Sequence, residues 1–271
     1  MWSMTCTPSR HGTLLEGIRS AAGDKAEILY AKGSNIYYDA ETEKAATGIR
    51  PLERGDNRQL LDEALRIAAR ADVIVAALGE CAEMSGESVS RTNLEIPDAQ
   101  QDLLKALVKT GKPVVLLLFT GRPLVLNWEA TNVHSILNVW FGGSETGDAV
   151  ADVLFGKVVP SGKLTTTFPR SVGQLPLFYN HLNTGRPDPD NRIFNRYASN
   201  YLDESNEPLY PFGYGLSYTD FVYSDLQISS ETLPKNGELT VSVTVTNKGT
   251  TTVTRQCSYI FVIYMQRLPV R

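Results

Sequence analysis

The alternation of short, continuously apolar runs with amphipathic helical patterns constrains the fold of this 271-residue chain more than any other feature. The apolar runs are residues 73–78, 114–118 and 135–140, and the helical patterns are 56–68, 97–111 and 145–155. Continuous apolar strands are typical of a parallel sheet that is covered on both faces. The alternation therefore predicts a layered α/β sandwich with a mostly parallel sheet.

Before the first apolar run, the pattern is weaker. Leu14, Leu15 and Ile18 at helical spacing predict a helix over residues 13–22. Residues 26–31 resemble a short strand, and the polar, turn-rich residues 34–55 predict a loop.

The character of the sequence changes after residue 155. Residues 156–220 carry many prolines, glycines and aromatic residues, which predicts an ordered wrap followed by a linker. Beyond residue 221 the pattern is β, because Leu239, Val241, Val243 and Val245 alternate with polar residues. We expect an α/β domain over residues 1–200, an aromatic linker over 201–223, and a truncated, immunoglobulin-like β domain over 224–271.

Composition excludes several function classes. Hydrophobic residues make up 42% and charged residues 21%, which is typical of a globular protein. The net charge of −4 offers no bulk attraction to nucleic acid or to an anionic membrane, and neither partner is expected. No apolar run approaches the ~18 residues of a membrane span, and the N-terminus lacks the pattern of a signal peptide. The three cysteines have no zinc-ligand spacing, so no metal or cofactor is expected.

One polar loop stands out as a candidate site. Residues 79–93 follow the first apolar run and carry the carboxylates Glu80, Glu83 and Glu87 together with Arg91. Ligands of open α/β sheets bind at the carboxyl ends of the strands, where this loop is expected to lie. Carboxylates are the usual acids and bases of glycoside hydrolysis, but on chemistry alone a solvated acidic loop is the more ordinary interpretation. Composition does not choose among the three glutamates.

Four stretches of the sequence make it similar to a known family. They are residues 86–91 (GESVSR), 140–147 (WFGGSETG), 161–176 (SGKLTTTFPRSVGQLP) and 210–219 (YPFGYGLSYT). In this order and spacing the chain resembles glycoside hydrolase family 3, in particular its periplasmic β-glucosidase branch. The likeness covers nearly all of residues 2–250.

The resemblance implies a modular organisation. Members of the family combine a catalytic (β/α)8 barrel, an α/β sandwich and a fibronectin-III-like domain. This chain resembles the α/β sandwich and the start of the fibronectin-III-like domain, and the barrel is missing from it. After residue 250 the sequence loses the family pattern, so we expect a truncated or frame-disrupted fragment.

The resemblance also implies a function and its residues. In the family a barrel aspartate is the nucleophile, and a glutamate of the sandwich is the general acid/base of a retaining β-glucosidase. Glu87 matches that glutamate, Glu83 is the second candidate, and Glu80 is expected to support the loop. Arg91, Ser85 and Met84 are expected to bind substrate, although an anchoring role suits Arg91 equally well.

These implications lead to further expectations and to two rivals. The expected substrate is a β-linked gluco-oligosaccharide or an aryl glucoside, and the expected location is periplasmic or extracellular. Without a nucleophile, the chain alone is expected to be inactive. The rivals are a non-catalytic, carbohydrate-binding or scaffolding module, and a non-functional gene remnant.

Overall fold

The computed structural model describes residues 12–48, 52–182, 184–188, 195–233 and 235–250. They divide into two compact units, which comprise the described parts of Met1–Lys157 with Thr165–Phe212, and of Val158–Leu164 with Gly213–Arg271. The predicted domain limits at residues 200 and 224 stay a prediction. The predicted loss of the family pattern after residue 250 lies outside the described residues.

The first unit contains a three-stranded parallel sheet. Its elements are α1 (Leu14–Ala22), α2 (Ala40–Thr47), α3 (Asn57–Ala68), β1 (Ile74–Gly79), α4 (Asp98–Val108), β2 (Val114–Phe119), α5 (Asn127–Asn132), β3 (Ser135–Asn138) and α6 (Thr146–Leu154). The strand order is β1-β2-β3, with α4 connecting β1 to β2 and α5 connecting β2 to β3. Parallel neighbours require such crossovers, and the predicted α/β class is confirmed.

The core of this unit lies on the central strand. Val114, Leu116, Leu117 and Leu118 of β2 are fully buried, as is Leu104 of the adjacent α4. A central strand is buried on both faces over most of its length, and here only Val115 and Phe119 are half-buried, which explains its continuous apolar sequence. In the described part of the chain β1 lies at the sheet edge, and its alternate residues are exposed.

Helices α1 and α6 approach each other through glycines. Thr13 and Glu16 form a reciprocal capping box that starts α1 where the sequence predicted it. A Cβ added at Gly17 would lie 2.4 Å from the Gly147 backbone, and one at Gly147 would lie 2.6 Å from the Thr13 carbonyl. Both glycines are therefore required by the closeness of the two backbones.

Two local predictions were wrong. Residues 26–31 form no strand, because an apolar segment becomes a strand only where a neighbour supplies a hydrogen-bonding ladder, and here none pairs with it. The predicted loop 34–55 contains α2, which begins where the Asp39 carboxylate accepts a hydrogen bond from the Thr42 amide at 2.7 Å. This helix has no apolar stripe, so the cap was its main signal.

The second unit contains an antiparallel pair, β4 (Phe221–Ile228) and β5 (Val241–Asn247), with an irregularity between Ser224 and Gln227. Valines of β5 are half-buried and alternate with mostly exposed polar residues, as predicted. Within the described residues of either unit, no helix has the length and hydropathy needed to cross a membrane.

Candidate active site

The candidate site begins where β1 ends at Gly79. Its φ is +135°, and a Cβ there would lie 1.9 Å from the Phe119 carbonyl oxygen, so only glycine fits. The buried Gln100 side chain of α4 accepts from the Gly79 amide at 2.8 Å and donates to its carbonyl at 2.9 Å. The Glu80 amide donates to the Phe119 carbonyl at 2.7 Å. The chain therefore leaves the sheet at a fixed point.

Glu80 is the buried centre of the loop. Its side chain is 0% exposed, and its Oε1 lies 2.7 Å from Arg91 Nη1 and 3.1 Å from Arg122 Nε. Oε2 accepts from the Thr120 hydroxyl at 2.9 Å and from the Gly121 amide at 3.1 Å. A buried carboxylate is tolerated only when it is paired in this way. Glu80 is thus buried among its partners, and its role in supporting the loop stays a prediction.

Arg91 is held by several partners at once. Besides its bond to Glu80, Nη2 donates to the Glu95 carbonyl at 3.1 Å and contacts the Tyr37 hydroxyl at 3.5 Å. Its side chain is only 12% exposed. Burial raises the pKa of Tyr37, and the nearby Arg91 charge partly opposes that rise. This geometry serves the anchoring role considered for Arg91 and leaves little of its surface for a ligand.

Arg122 was not predicted from the sequence. It follows β2 and donates through Nη2 to the Met84 carbonyl and, at 3.1 Å, to the Val89 carbonyl. A usable signal existed, because neighbouring parallel strands end at the same sheet edge. Residues 120–122, which follow β2, could therefore be expected to lie beside the loop that follows β1.

The remaining predicted residues occupy different environments. Glu87 is exposed, in a turn where Gly86 has φ 155° and Ser88 has φ 60°. Glu83 is half-buried in the short 3-10 turn Ala82–Met84, and Met84 is buried. Ser85 is half-buried, with its Oγ 2.1 Å from where a Cβ at Gly121 would lie. The structure thus joins Glu80 and Arg91 with Arg122 in one cluster and leaves Glu87 open to solvent.

A polar cavity of about 390 Å³ opens beside this cluster. Its lining residues are Tyr37, 90–93, 95–98 and Gln101. Hydroxyl, amide, guanidinium and carboxylate groups face it, and such groups suit a small, polar ligand.

The chemistry available at the loop is that of carboxylates and arginines. Among the residues that the structure describes, no three His, Cys, Asp or Glu side chains are grouped as metal ligands. The Cys81 thiol donates to the Ala46 carbonyl at 3.3 Å. Burial raises the pKa of this thiol, which opposes its use as a nucleophile.

Comparison with known proteins relates this geometry to one family. The family model described as Glycosyl hydrolase family 3 C-terminal domain matches residues 1–218. The chain is 48% identical over 269 residues to the periplasmic β-glucosidase of Salmonella typhimurium, covering 98% of this chain and 34% of that protein. It is 38% identical over 245 residues to a β-xylosidase of Formosa agariphila, covering 90% of this chain and 30% of that protein.

A solved structure agrees with these relatives. The β-glucosidase from Listeria innocua in complex with isofagomine is 38% identical, with a TM-score of 0.69 over 89% of this chain and 31% of that one. The chain therefore spans about a third of the length of the proteins it matches. With most of its length matched by the family model, this chain belongs to glycoside hydrolase family 3 and carries that family's C-terminal domain.

Proposed function

We propose that this chain supplies the general acid/base of a retaining β-glucosidase, and that the residue is Glu87. The observation that carries the proposal is the contrast between two glutamates of one loop. Glu80 is wholly buried between two guanidinium groups, whereas Glu87 is exposed beyond the carboxyl end of β1. Only an exposed carboxyl group can reach a glycosidic oxygen.

The reaction requires a second carboxylate from elsewhere. In a retaining mechanism a nucleophilic carboxylate attacks the anomeric carbon while the acid protonates the departing oxygen. The same residue, now a carboxylate, then removes a proton from the water that releases the sugar. The two carboxyl groups must lie about 5–5.5 Å apart. We therefore propose that Glu87 works with a nucleophile on a (β/α)8 barrel, and that the chain alone is inactive.

The names of the relatives support a proposal for the substrate class and the location. Those named above are β-glucosidases and a β-xylosidase, and one is a periplasmic protein. We propose a β-linked gluco-oligosaccharide or an aryl glucoside as substrate, and a periplasmic or extracellular location. Arg91 lines the polar cavity with the small part of its surface that stays exposed, and we propose that Arg91 and Ser85 border the bound sugar. Met84 is buried, so we propose that it contributes through the position of its backbone.

The test is hydrolysis of aryl β-glucosides by the purified chain mixed with a separately expressed family 3 barrel. We expect activity in the mixture and none from the chain alone. Glu87→Gln should lower turnover of a substrate with a poor leaving group by roughly 10²–10⁴-fold, the usual contribution of general acid catalysis. An activated leaving group needs little protonation. For such a substrate, Glu87→Gln should therefore lower the rate of the glycosylation step far less.

Glu83→Gln is the matched control, because it removes a carboxylate from the same loop. It should leave the dependence on the leaving group unchanged. Equal losses on both substrates for Glu87→Gln, or a larger effect from Glu83→Gln, would contradict the assignment. Sugar binding without activity in any mixture would instead favour a non-catalytic module.

A further inference from the structure

One guanidinium group joins the two ends of the segment that carries Glu87. We call residues 84–89 the Glu87 loop. Arg122 Nη2 donates to the Met84 carbonyl at its start and to the Val89 carbonyl at its end, the latter at 3.1 Å. The two carbonyls are five residues apart in sequence, so their shared donor closes the loop at its base.

Arg122 is itself held by contacts with Glu80 and Thr120. Its Nε lies 3.1 Å from Glu80 Oε1 as an ion pair, and its amide donates to the Thr120 hydroxyl at 3.2 Å. Thr120 and Glu80 are buried at the ends of adjacent parallel strands. Both carbonyl bonds come from Nη2, while Nε lies against the carboxylate as an ion pair, so one rigid, planar guanidinium contacts all three groups.

The backbone of the Glu87 loop adopts an uncommon conformation between these two carbonyls. Gly86 and Ser88, on either side of Glu87, both have positive φ, and Ser88 at φ 60° adopts a conformation that few non-glycine residues use. Gly121, next to Arg122, leaves the room that Ser85 occupies. A conformation of this kind persists only where surrounding contacts over-determine it.

We propose that Arg122 is a positioning residue that holds the Glu87 loop closed and thereby fixes where the Glu87 carboxyl group points. The link to catalysis rests on the proposed function of Glu87, whereas the closing of the loop does not. Lysine at this position keeps the positive charge but has one nitrogen. It cannot bind Glu80 and both carbonyls in the fork geometry.

The first experiment measures amide hydrogen exchange in the purified full chain. The Met84 amide, at the start of the loop, donates to the Cys81 carbonyl at 3.0 Å. In Arg122→Lys this amide should exchange at least about tenfold faster than in the unchanged chain, while β2 keeps its protection. Arg54→Lys is the matched control, because Arg54 also pairs with a buried carboxylate (Glu43, 2.7 Å) and donates to two carbonyls (Tyr37 and Tyr38). The control should leave exchange in the Glu87 loop unchanged. Unchanged exchange in folded Arg122→Lys would overturn the proposal.

A second measurement needs no substitution and covers the case in which Arg122→Lys does not fold. NMR of the Arg122 side chain should show separate Nη–H signals, because a guanidinium bound on several sides rotates slowly. A single averaged signal, like that of the exposed Arg58, would show that the contacts are not held and would overturn the proposal.

The third measurement connects the loop to turnover in the mixture with the barrel. Displacing an acid by about 1 Å can lower its rate contribution by roughly 10²-fold. Arg122→Lys should therefore reduce kcat for poor leaving groups by about that factor, with little change for activated ones and little change in KM. Equal loss for both classes would refute the catalytic link. If Glu87→Gln has no leaving-group effect but the loop loosens in Arg122→Lys, the proposed function fails and the closing role stands.

Discussion

Substituting Glu80 by glutamine tests whether the buried carboxylate holds the ends of β1 and β2 together. Three of its partners donate hydrogen bonds to it (Arg91, the Thr120 hydroxyl and the Gly121 amide), and Arg122 forms an ion pair with it. The glutamine amide has one oxygen, and its NH₂ group is itself a donor. If NH₂ faces the guanidinium groups, Arg91 loses the acceptor of its hydrogen bond and Arg122 loses its ion-pair partner. If it faces the other side, the Gly121 amide is left unsatisfied.

The expected loss follows from these contacts. An unsatisfied buried donor costs about 1–3 kcal/mol, and a hydrogen bond to a charged group is about 1 kcal/mol stronger than a neutral one. Removing one member of a buried ion pair costs about 3–5 kcal/mol. The Arg91 and Arg122 side chains remain 12% and 19% exposed, so water offsets part of the loss. We therefore expect a decrease of about 3 kcal/mol in the free energy of unfolding.

The assay is urea unfolding followed by tryptophan fluorescence. The control is Asp62→Asn, which breaks the exposed Arg58–Asp62 pair (3.9 Å, side chains 90% and 69% exposed) and should change stability by less than about 0.5 kcal/mol. A loss below about 1 kcal/mol for Glu80→Gln would refute the reasoning. It would mean that the carboxylate is better solvated, or less tightly paired, than its contacts indicate.

Two further predictions concern other parts of the first unit. Gly147→Ala should lower the unfolding free energy by about 1–3 kcal/mol, since its Cβ would meet the Thr13 carbonyl at 2.6 Å. Gly143→Ala, with nothing within 4 Å, is the control, and equal effects in urea unfolding would contradict the packing argument. Burial raises the pKa of Glu129 above 4.5, so the folded state holds its proton at pH values where the unfolded state has lost it. The stability that protonated Glu129 contributes is therefore present below pH 4.5 and is lost as the pH rises through the pKa of the folded state. Glu129→Gln should make the unfolding free energy fall less steeply over this pH range. An unchanged slope of unfolding free energy against pH would refute this prediction.

The central sheet was predictable because its signal is local. The continuous apolar runs of β1 and β2 mark both strands without knowledge of their partners, although alternate residues of β1 are exposed at the sheet edge. The helical pattern that begins at Asp56 marks α3 in the same local way. The segment 26–31 was predicted wrongly because strand formation depends on a partner that the local sequence does not reveal. Helix α2 was missed for the opposite reason, since a short polar helix has a cap but no apolar face.

The candidate site was predictable only in part. Position after a buried strand drew attention to the loop, but three glutamates in one loop look alike in sequence. Their burial separates them, and burial depends on which groups arrive from other strands. Arg122 is 31 positions beyond Arg91 in the sequence, yet both contact the same carboxylate oxygen. Such convergence becomes visible only when the strand register is known.

The anchoring of the Glu87 loop by Arg122 acts on main-chain carbonyls rather than on side chains. Because Arg122 bonds to the backbone, these two contacts do not depend on which side chains the loop carries. The side chains are limited instead by the backbone shape, which at Gly86 and Ser88 requires a positive φ. The mechanical support of the loop is thus separate from the chemistry of the side chain that it presents.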